Sequence, residues 1–371
     1  MVGTTAFMTL NPSKYQAIRP SHLRSAVLSL ALSIPLSACS SSNDEPSTDG
    51  AAGAPGASPA AKAGSSAGAG GAGGHASGGQ SGDKTRSDAP VGYFTVSLVP
   101  PDDNNASGRT TLLGKVNDGP TPAAVVWTPG PNTDGCHLSK PRVPFCNTPC
   151  GGTAVCIEDD VCQPYPTALN VGTVHVTGVK TAAGASDFSM QPIANSYQAP
   201  AGTQLAYPAF EPADAIKFEA SGGSGESFSL SAKGVAPLAL TSGDLSLQSG
   251  QALHLAWTAG NADLAQIHVK LDISHHGGSK GMIECDTTDD GTLDIPAALM
   301  TDLLALGVAG YPTIIVTRQA QGSATITPGT VTLTVSSQVE TPVTVPGLVS
   351  CGDDTDCPTG KTCQKDLSCS K

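Results

Sequence analysis

Aromatic residues are scarce in this sequence: seven Phe, six Tyr and two Trp among 371 residues. A large core must therefore be built mainly from aliphatic side chains rather than rings. Positive charge is also short. Nineteen Lys and Arg face 31 Asp and Glu, a net charge of −12, and the cations form no cluster. Such a chain repels phosphate backbones, which excludes nucleic acid as a partner. No apolar run reaches the roughly 20 residues that a membrane-spanning helix needs. No two cysteines are spaced C-x2-C, so the usual zinc-ribbon and thioredoxin signatures are missing. Glycine (43), proline (29) and cysteine (11) are what the chain has in quantity. That balance suits short strands, many turns and an oxidising compartment.

The N-terminal segment is organised for export. Arg19, His22 and Arg24 precede the apolar run AVLSLALSIPL at 26–36, about half the length of a membrane span and the right length for a signal-peptide core. Small residues Ser37 and Ala38 then lead to Cys39. Leu36-Ser37-Ala38-Cys39 matches the lipobox at all four positions, and here the chain resembles a bacterial lipoprotein. The resemblance implies cleavage after residue 38, a diacylglycerol on the Cys39 sulfur and usually a third acyl chain on its amine. More than one chain gives stable anchoring. Residue 40 is Ser, not the Asp tied to inner-membrane retention in Gram-negative lipoproteins, so the outer membrane or cell surface is expected. Removing Cys39 leaves an even number of cysteines.

Residues 39–91 form a lipidated cysteine and tether. Gly, Ala, Ser and Pro dominate, with no apolar period, and such a segment cannot offset its ordering entropy by burial. As a flexible coil it would span about 40 Å. A Gly-x-Ser-x-Gly match at 64–68 falls inside it, where no strained nucleophile turn can be held.

From Tyr93 onward, period two takes over. Phe94, Val96 and Leu98 share a parity, as do Ile216 and Phe218, Leu253, Leu255 and Trp257, Ile267 to Ile273, and Val331, Leu333 and Val335. Polar residues alternate with them, the pattern of antiparallel strands buried on one face. Turn signals at 118–120, 221–223, 241–244 and 290–291 separate the runs. The expected fold is all-β, an antiparallel sandwich of immunoglobulin-like or fibronectin-like type. One short helix is predicted over 296–306, from Pro296 at a first turn and leucines at helical spacing. The body divides into a hairpin region at 92–135, a cysteine-rich module at 136–162, a sandwich at 163–349 and a second cysteine-rich module at 350–371.

The two modules are an internal repeat. CNTPCGGTAVCIEDDVC (146–162) and CGDDTDCPTGKTCQKDLSC (351–369) share C-x5-C-x5-C. Cys150, Cys156 and Cys162 match Cys357, Cys363 and Cys369, with Cys146 and Cys351 upstream. Units this small need disulfides in place of a core. Four cysteines allow three pairings, and sequence does not choose among them. First-to-third with second-to-fourth is the working assignment, leaving Cys136 and Cys285 for each other. With lipobox, tether and modules together, the chain resembles lipoproteins of myxobacterial type, a resemblance that carries no activity with it.

Several stretches imitate chemistry. Ser274 to Gly281 (SHHGGSKG) places Ser279 in a second Gly-x-Ser-x-Gly beside His275 and His276. A nucleophile elbow needs a helix after the serine, and here another strand follows, so a hairpin loop is expected. Residues 286–297 (DTTDDGTLDIPA) place Asp286, Asp290 and Asp294 at the first, fifth and ninth positions of a calcium loop, but Ala297 replaces the bidentate Glu. An acidic turn is expected. The run at 359–362 lacks the earlier glycine of a phosphate loop. His254 and His268 lie on the polar parity of their strands. No catalytic residue, metal site or cofactor is assigned. The sequence points to a non-enzymatic, membrane-anchored envelope lipoprotein acting in binding, adhesion or structure, with an unidentified protein or glycan partner. A hydrolase using Ser279 with His275 or His276, and a calcium-dependent module at 286–297, are the alternatives.

Overall fold

The computed structural model describes residues 89–101 and 106–371. The lipobox with Cys39, the signal segment and the tether up to residue 88 lie outside the described residues. The strands run β1 (Pro90–Val99), β2 (Arg109–Val116), β3 (Val126–Pro129), β4 (Cys136–Arg142), β5 (Ala154–Glu158) and β6 (Val161–Pro164). They continue with β7 (Val174–Thr177), β8 (Asp187–Met190), β9 (Ser196–Gln198), β10 (Ala215–Ala220), β11 (Phe228–Lys233) and β12 (Leu253–Ala256). After β13 (Gln266–Asp272), β14 (Met282–Thr288) and β15 (Thr292–Ile295) comes one helix, α1 (Ala297–Ala305). The long strands β16 (Thr313–Ile326) and β17 (Gly329–Pro342) follow, then β18 (Thr362–Cys363) and β19 (Cys369–Ser370).

A nine-stranded sheet in the order β3-β4-β14-β13-β16-β17-β1-β2-β9 is the backbone of the fold. Two covering layers lie on one of its faces. The four-stranded sheet β11-β10-β7-β8 closes a first core around Phe94, Val96, Val176, Phe218, Leu230 and Leu333. The pair β12-β15 and helix α1 close a second core around Leu255, Trp257, Ile267, Leu271, Met300 and Ile314. The body is thus mostly β and layered, and the alternating positions read from the sequence are the buried ones. Each fully buried side chain of this size contributes about 1.5–3 kcal/mol.

The hairpin β16–β17 runs through both halves. Ile314 and Val316 belong to the second core, whereas Ala320, Ile326, Val331, Leu333 and Val335 belong to the first. All lie on the inward parity of the two strands. Between the cores that parity carries Arg318 and Ser337, directly opposed in the register and both buried. The chain changes layers at the same point: Val235 packs in the first core and Leu238 in the second.

Three features differ from the sequence reading. β1 pairs β17 in parallel while pairing β2 antiparallel, so the sheet is mixed; side-chain parity reports which face a residue occupies, not strand direction. The body begins earlier than 92, because Pro90 is already in β1 and Val91 is buried. The segment 136–142 is not part of a cysteine module: β4 pairs β14 inside the large sheet, so 92–142 and 163–349 form one body.

Candidate functional site

Five disulfides tie the described cysteines. Cys136–Cys285 joins the paired strands β4 and β14 within the second core. The modules are each linked first to third and second to fourth: Cys146–Cys156 with Cys150–Cys162, and Cys351–Cys363 with Cys357–Cys369. In both, the third and fourth cysteines face each other across a small hairpin, β5–β6 or β18–β19. The sulfurs of Cys146, Cys150 and Cys156 lie within 4.8 Å of one another, as do those of Cys351, Cys357 and Cys369. Each is committed to a disulfide, so no thiolate is offered to a metal. The disulfides are those of an exported protein. Among the described residues no helix is long and apolar enough to cross a membrane.

The SHHGGSKG stretch joins β13 to β14, which pair antiparallel. It is a hairpin loop, with no helix after the serine. Ser279 is exposed, and no hydrogen bond joins it to either imidazole. His275 Nε2 instead lies 3.7 Å from Glu340, and the two imidazoles touch in a tilted arrangement, 4.0 Å between centroids and 54° between planes. Gly277 has a packing reason. A Cβ on Gly277 would sit 2.4 Å from the Gly310 nitrogen and 2.6 Å from the Asp366 carbonyl oxygen. The loop is where the C-terminal module meets the body: Gly310 N donates to the Asp366 carbonyl at 2.7 Å, and Lys280 Nζ lies 3.7 Å from the Asp366 carboxylate. Ser368 and Lys280 hold the Asp366 carboxyl below its ordinary value.

The carboxylates of 286–297 are parcelled out. Asp286 Oδ1 lies 2.9 Å from His268 Nδ1 on the large sheet. Asp294 Oδ1 lies 2.7 Å from His254 Nδ1 on the β12–β15 pair. Asp290 accepts from Thr288 Oγ1 at 3.0 Å in the turn between them. Strand pairing thus pulls the three to different partners rather than around one ion, and His254 and His268 are each matched with their own aspartate.

The buried polar centre lies at Asp289, the one residue of that acidic run passed over in the sequence. The Arg318 and Asp289 side chains are 2% and 0% exposed, and they form a two-pronged pair at 2.6 and 2.9 Å. Trp257 Nε1 donates to Asp289 Oδ1 at 2.9 Å. The remaining Arg318 donors reach the carbonyls of Ala236, Pro237 and Thr258 at 2.7–3.2 Å. Ser337 Oγ, opposite Arg318, accepts from Leu238 N at 2.8 Å. The chain crossing between layers is therefore fastened by two polar side chains placed on an apolar stripe. Such a site is closed to solvent and acts as a clasp. The sequence signal was a lone cation on the inward parity of a long strand, which demands a buried partner.

An open site is found at the other end of the large sheet. The last strand, β9, pairs only Leu113–Lys115 of β2. Residues Arg109–Leu112 have β1 on one side and no described strand on the other. A groove of about 580 Å³ runs along this free edge, lined by Arg109, Thr111, Leu113, Gln198, Gln204 and Tyr207. A second hollow, of about 700 Å³ beside Phe188 and Asp187, shares Thr203 and Gln204 with it. Arg109 is exposed and has no acidic partner among the described residues. Burial raises the Tyr207 phenol above its ordinary value, so it stays neutral.

No family model matches the chain, and no curated protein matches it. Among solved structures, the crystal structure of chicken CNTN1 FN1-FN3 domains is similar at 12% identity over 65% of this chain and 69% of that one, with a TM-score of 0.15.

Proposed function

We propose that this chain is an exported, lipid-anchored envelope protein that binds a partner and performs no turnover. The lipobox at 36–39 supports the anchor, and five disulfides support the exported location. The observation that carries the binding role is the free edge of β2 with its groove. Unpaired strand edges are templates for an added strand. The groove is within the usual size of ligand sites, roughly 300–1,000 Å³. Its one cation, Arg109, suits an acidic residue on an extended peptide.

The test is retention against turnover. The purified full-length protein is incubated with envelope glycan and with surface-protein fractions from the same cells. Stoichiometric retention by the protein fraction, unchanged in composition and lost in Arg109→Glu and Leu113→Asp, is expected. Retention by glycan alone would replace the peptide with a sugar. Release of cleaved product, or labelling of Ser279 by a fluorophosphonate, would overturn the reading.

A further inference from the structure

We infer that the outward face of the large sheet, where β9, β2, β1, β17 and β16 lie side by side, binds an acidic polysaccharide. The register carries two complete rows of side chains across these five strands. Ser196, Lys115, Tyr93, Thr332 and Ser323 form one row. Gln198, Leu113, Thr95, Thr334 and Gln321 form the next. Opposed residues share a face, and their inward neighbours Phe94 and Leu333 fill the first core. The rows therefore look away from the covering sheet, and they run about 19 Å across, at roughly 4.8 Å per strand.

Charge selects the partner. The chain holds 31 Asp and Glu. Yet no outward position of β9, β2 or β1, of 330–336 in β17 or of 319–325 in β16 is acidic. The charges there are Arg109 and Lys115, both on β2, and neither has an ion-pair partner among the described residues. They stand six residues apart on one parity, about 20 Å along the strand. A polymer with regularly spaced carboxylates meets both, which a single sugar acid cannot do. The other half of the same face is built the opposite way. Its carboxylates are present and matched, Glu284 with Ser139 at 3.1 Å and Asp286 with His268 at 2.9 Å.

The remaining side chains suit sugar. Tyr93 and Leu113 are 48% and 52% exposed and are diagonal neighbours across β1 and β2. Together they offer a small apolar platform to the C–H face of a pyranose ring, with the phenol left free at the wet end. Beside it, the hydroxyls of Thr95, Thr332 and Thr334 have no partner among the described residues. Each can donate to and accept from a sugar hydroxyl. The buried centre of a protein interface is more apolar than one Tyr and one Leu provide. The face adjoins the strand-edge groove at β2, but Tyr93, Lys115 and Thr334 lie outside the groove lining, so the two sites are separable.

The full-length, disulfide-intact protein is passed over immobilised polygalacturonate, dextran and polyglutamate. Retention by polygalacturonate alone is expected, weakening as salt is raised. This comparison uses the native chain and is independent of how any variant folds. Tyr93→Ala and Lys115→Glu should each weaken retention by about tenfold. Thr334→Glu, which puts a carboxylate at the centre of the rows, should abolish it. His254→Ala, on the distant β12, should change nothing. Retention of a protein partner at the β2 edge should survive Tyr93→Ala, so failure of either site leaves the other standing. No retention of the native protein by polygalacturonate, equal retention by either control polymer, or unchanged retention in both Tyr93→Ala and Lys115→Glu would overturn the assignment.

Discussion

At the residue scale, the molecule turns on a few polar side chains in apolar places. Arg318 and Asp289 are fully enclosed, and their hydrogen-bonding groups are matched to each other and to three carbonyls. Removing one partner leaves the other charged and buried. Asp289→Asn or Arg318→Met should therefore cost about 3–5 kcal/mol in urea unfolding. Replacing both with apolar residues of similar volume should recover much of that loss. Tyr197 makes a smaller clasp: its phenol accepts from Val171 N at 2.9 Å and donates to the Gly172 carbonyl at 3.1 Å. Tyr197→Phe should cost about 1 kcal/mol in the same assay. Arg318 carried a signal that went unused, a charge on the inward parity of β16. Asp289 carried none, because it sits among Asp286, Asp290 and Asp294 with nothing in its neighbours to mark it as the buried one. Only the approach of β16 and Trp257 distinguishes it.

At the element scale, the glycine-rich loop at 274–281 shows how packing imitates a motif. Gly277 is needed because the Gly310 backbone and the C-terminal module approach it closely. Gly277→Ala should cost about 1–3 kcal/mol through overpacking and should make the module easier to cleave by protease, whereas Ser279→Ala should leave stability and binding unchanged. Acid should loosen the same contact. The Asp366 carboxyl is held below its ordinary value by Ser368 first and by Lys280 after desolvation is counted. A lowered carboxylate contributes stability that is complete above its unfolded value and is lost as pH falls through the folded one. Amide exchange at Gly310 should accordingly be slow at neutral pH and should quicken below the ordinary carboxylate range. Exchange that does not vary with pH, after correction for its intrinsic rate, would remove Asp366 from the contact. Individual strands were legible because period two sorts Phe94, Ile267 or Leu333 inward without any knowledge of their neighbours. Pairing was not: the parallel β1–β17 contact joins residues some 240 positions apart (Phe94 with Leu333), and nothing local encodes it. The β2-edge groove is hidden for the same reason, since its walls come from 108–113 and 198–207.

At the scale of the whole molecule, two cores share one sheet and are stapled within it. Cys136–Cys285 closes a loop with a sequence separation of 149, which in the chain-entropy view restrains the unfolded state by about 5 kcal/mol. The paired Cys136→Ser, Cys285→Ser variant should lower the urea midpoint well below that of a variant lacking one cystine of either module, where the separations are 10 and 12. Equal effects would mean the large loop is already restrained in the unfolded chain. The staples, the strand-edge groove and the lipobox suit a body held outside the cytoplasm to meet other molecules. The most direct test of that account is the intact mass of protein extracted from native membranes, taken before and after reduction and alkylation. A chain beginning at Cys39, heavier by its acyl groups and with ten cysteines that alkylate only after reduction, is the expected result. An unacylated chain, or cysteines that alkylate without reduction, would contradict it.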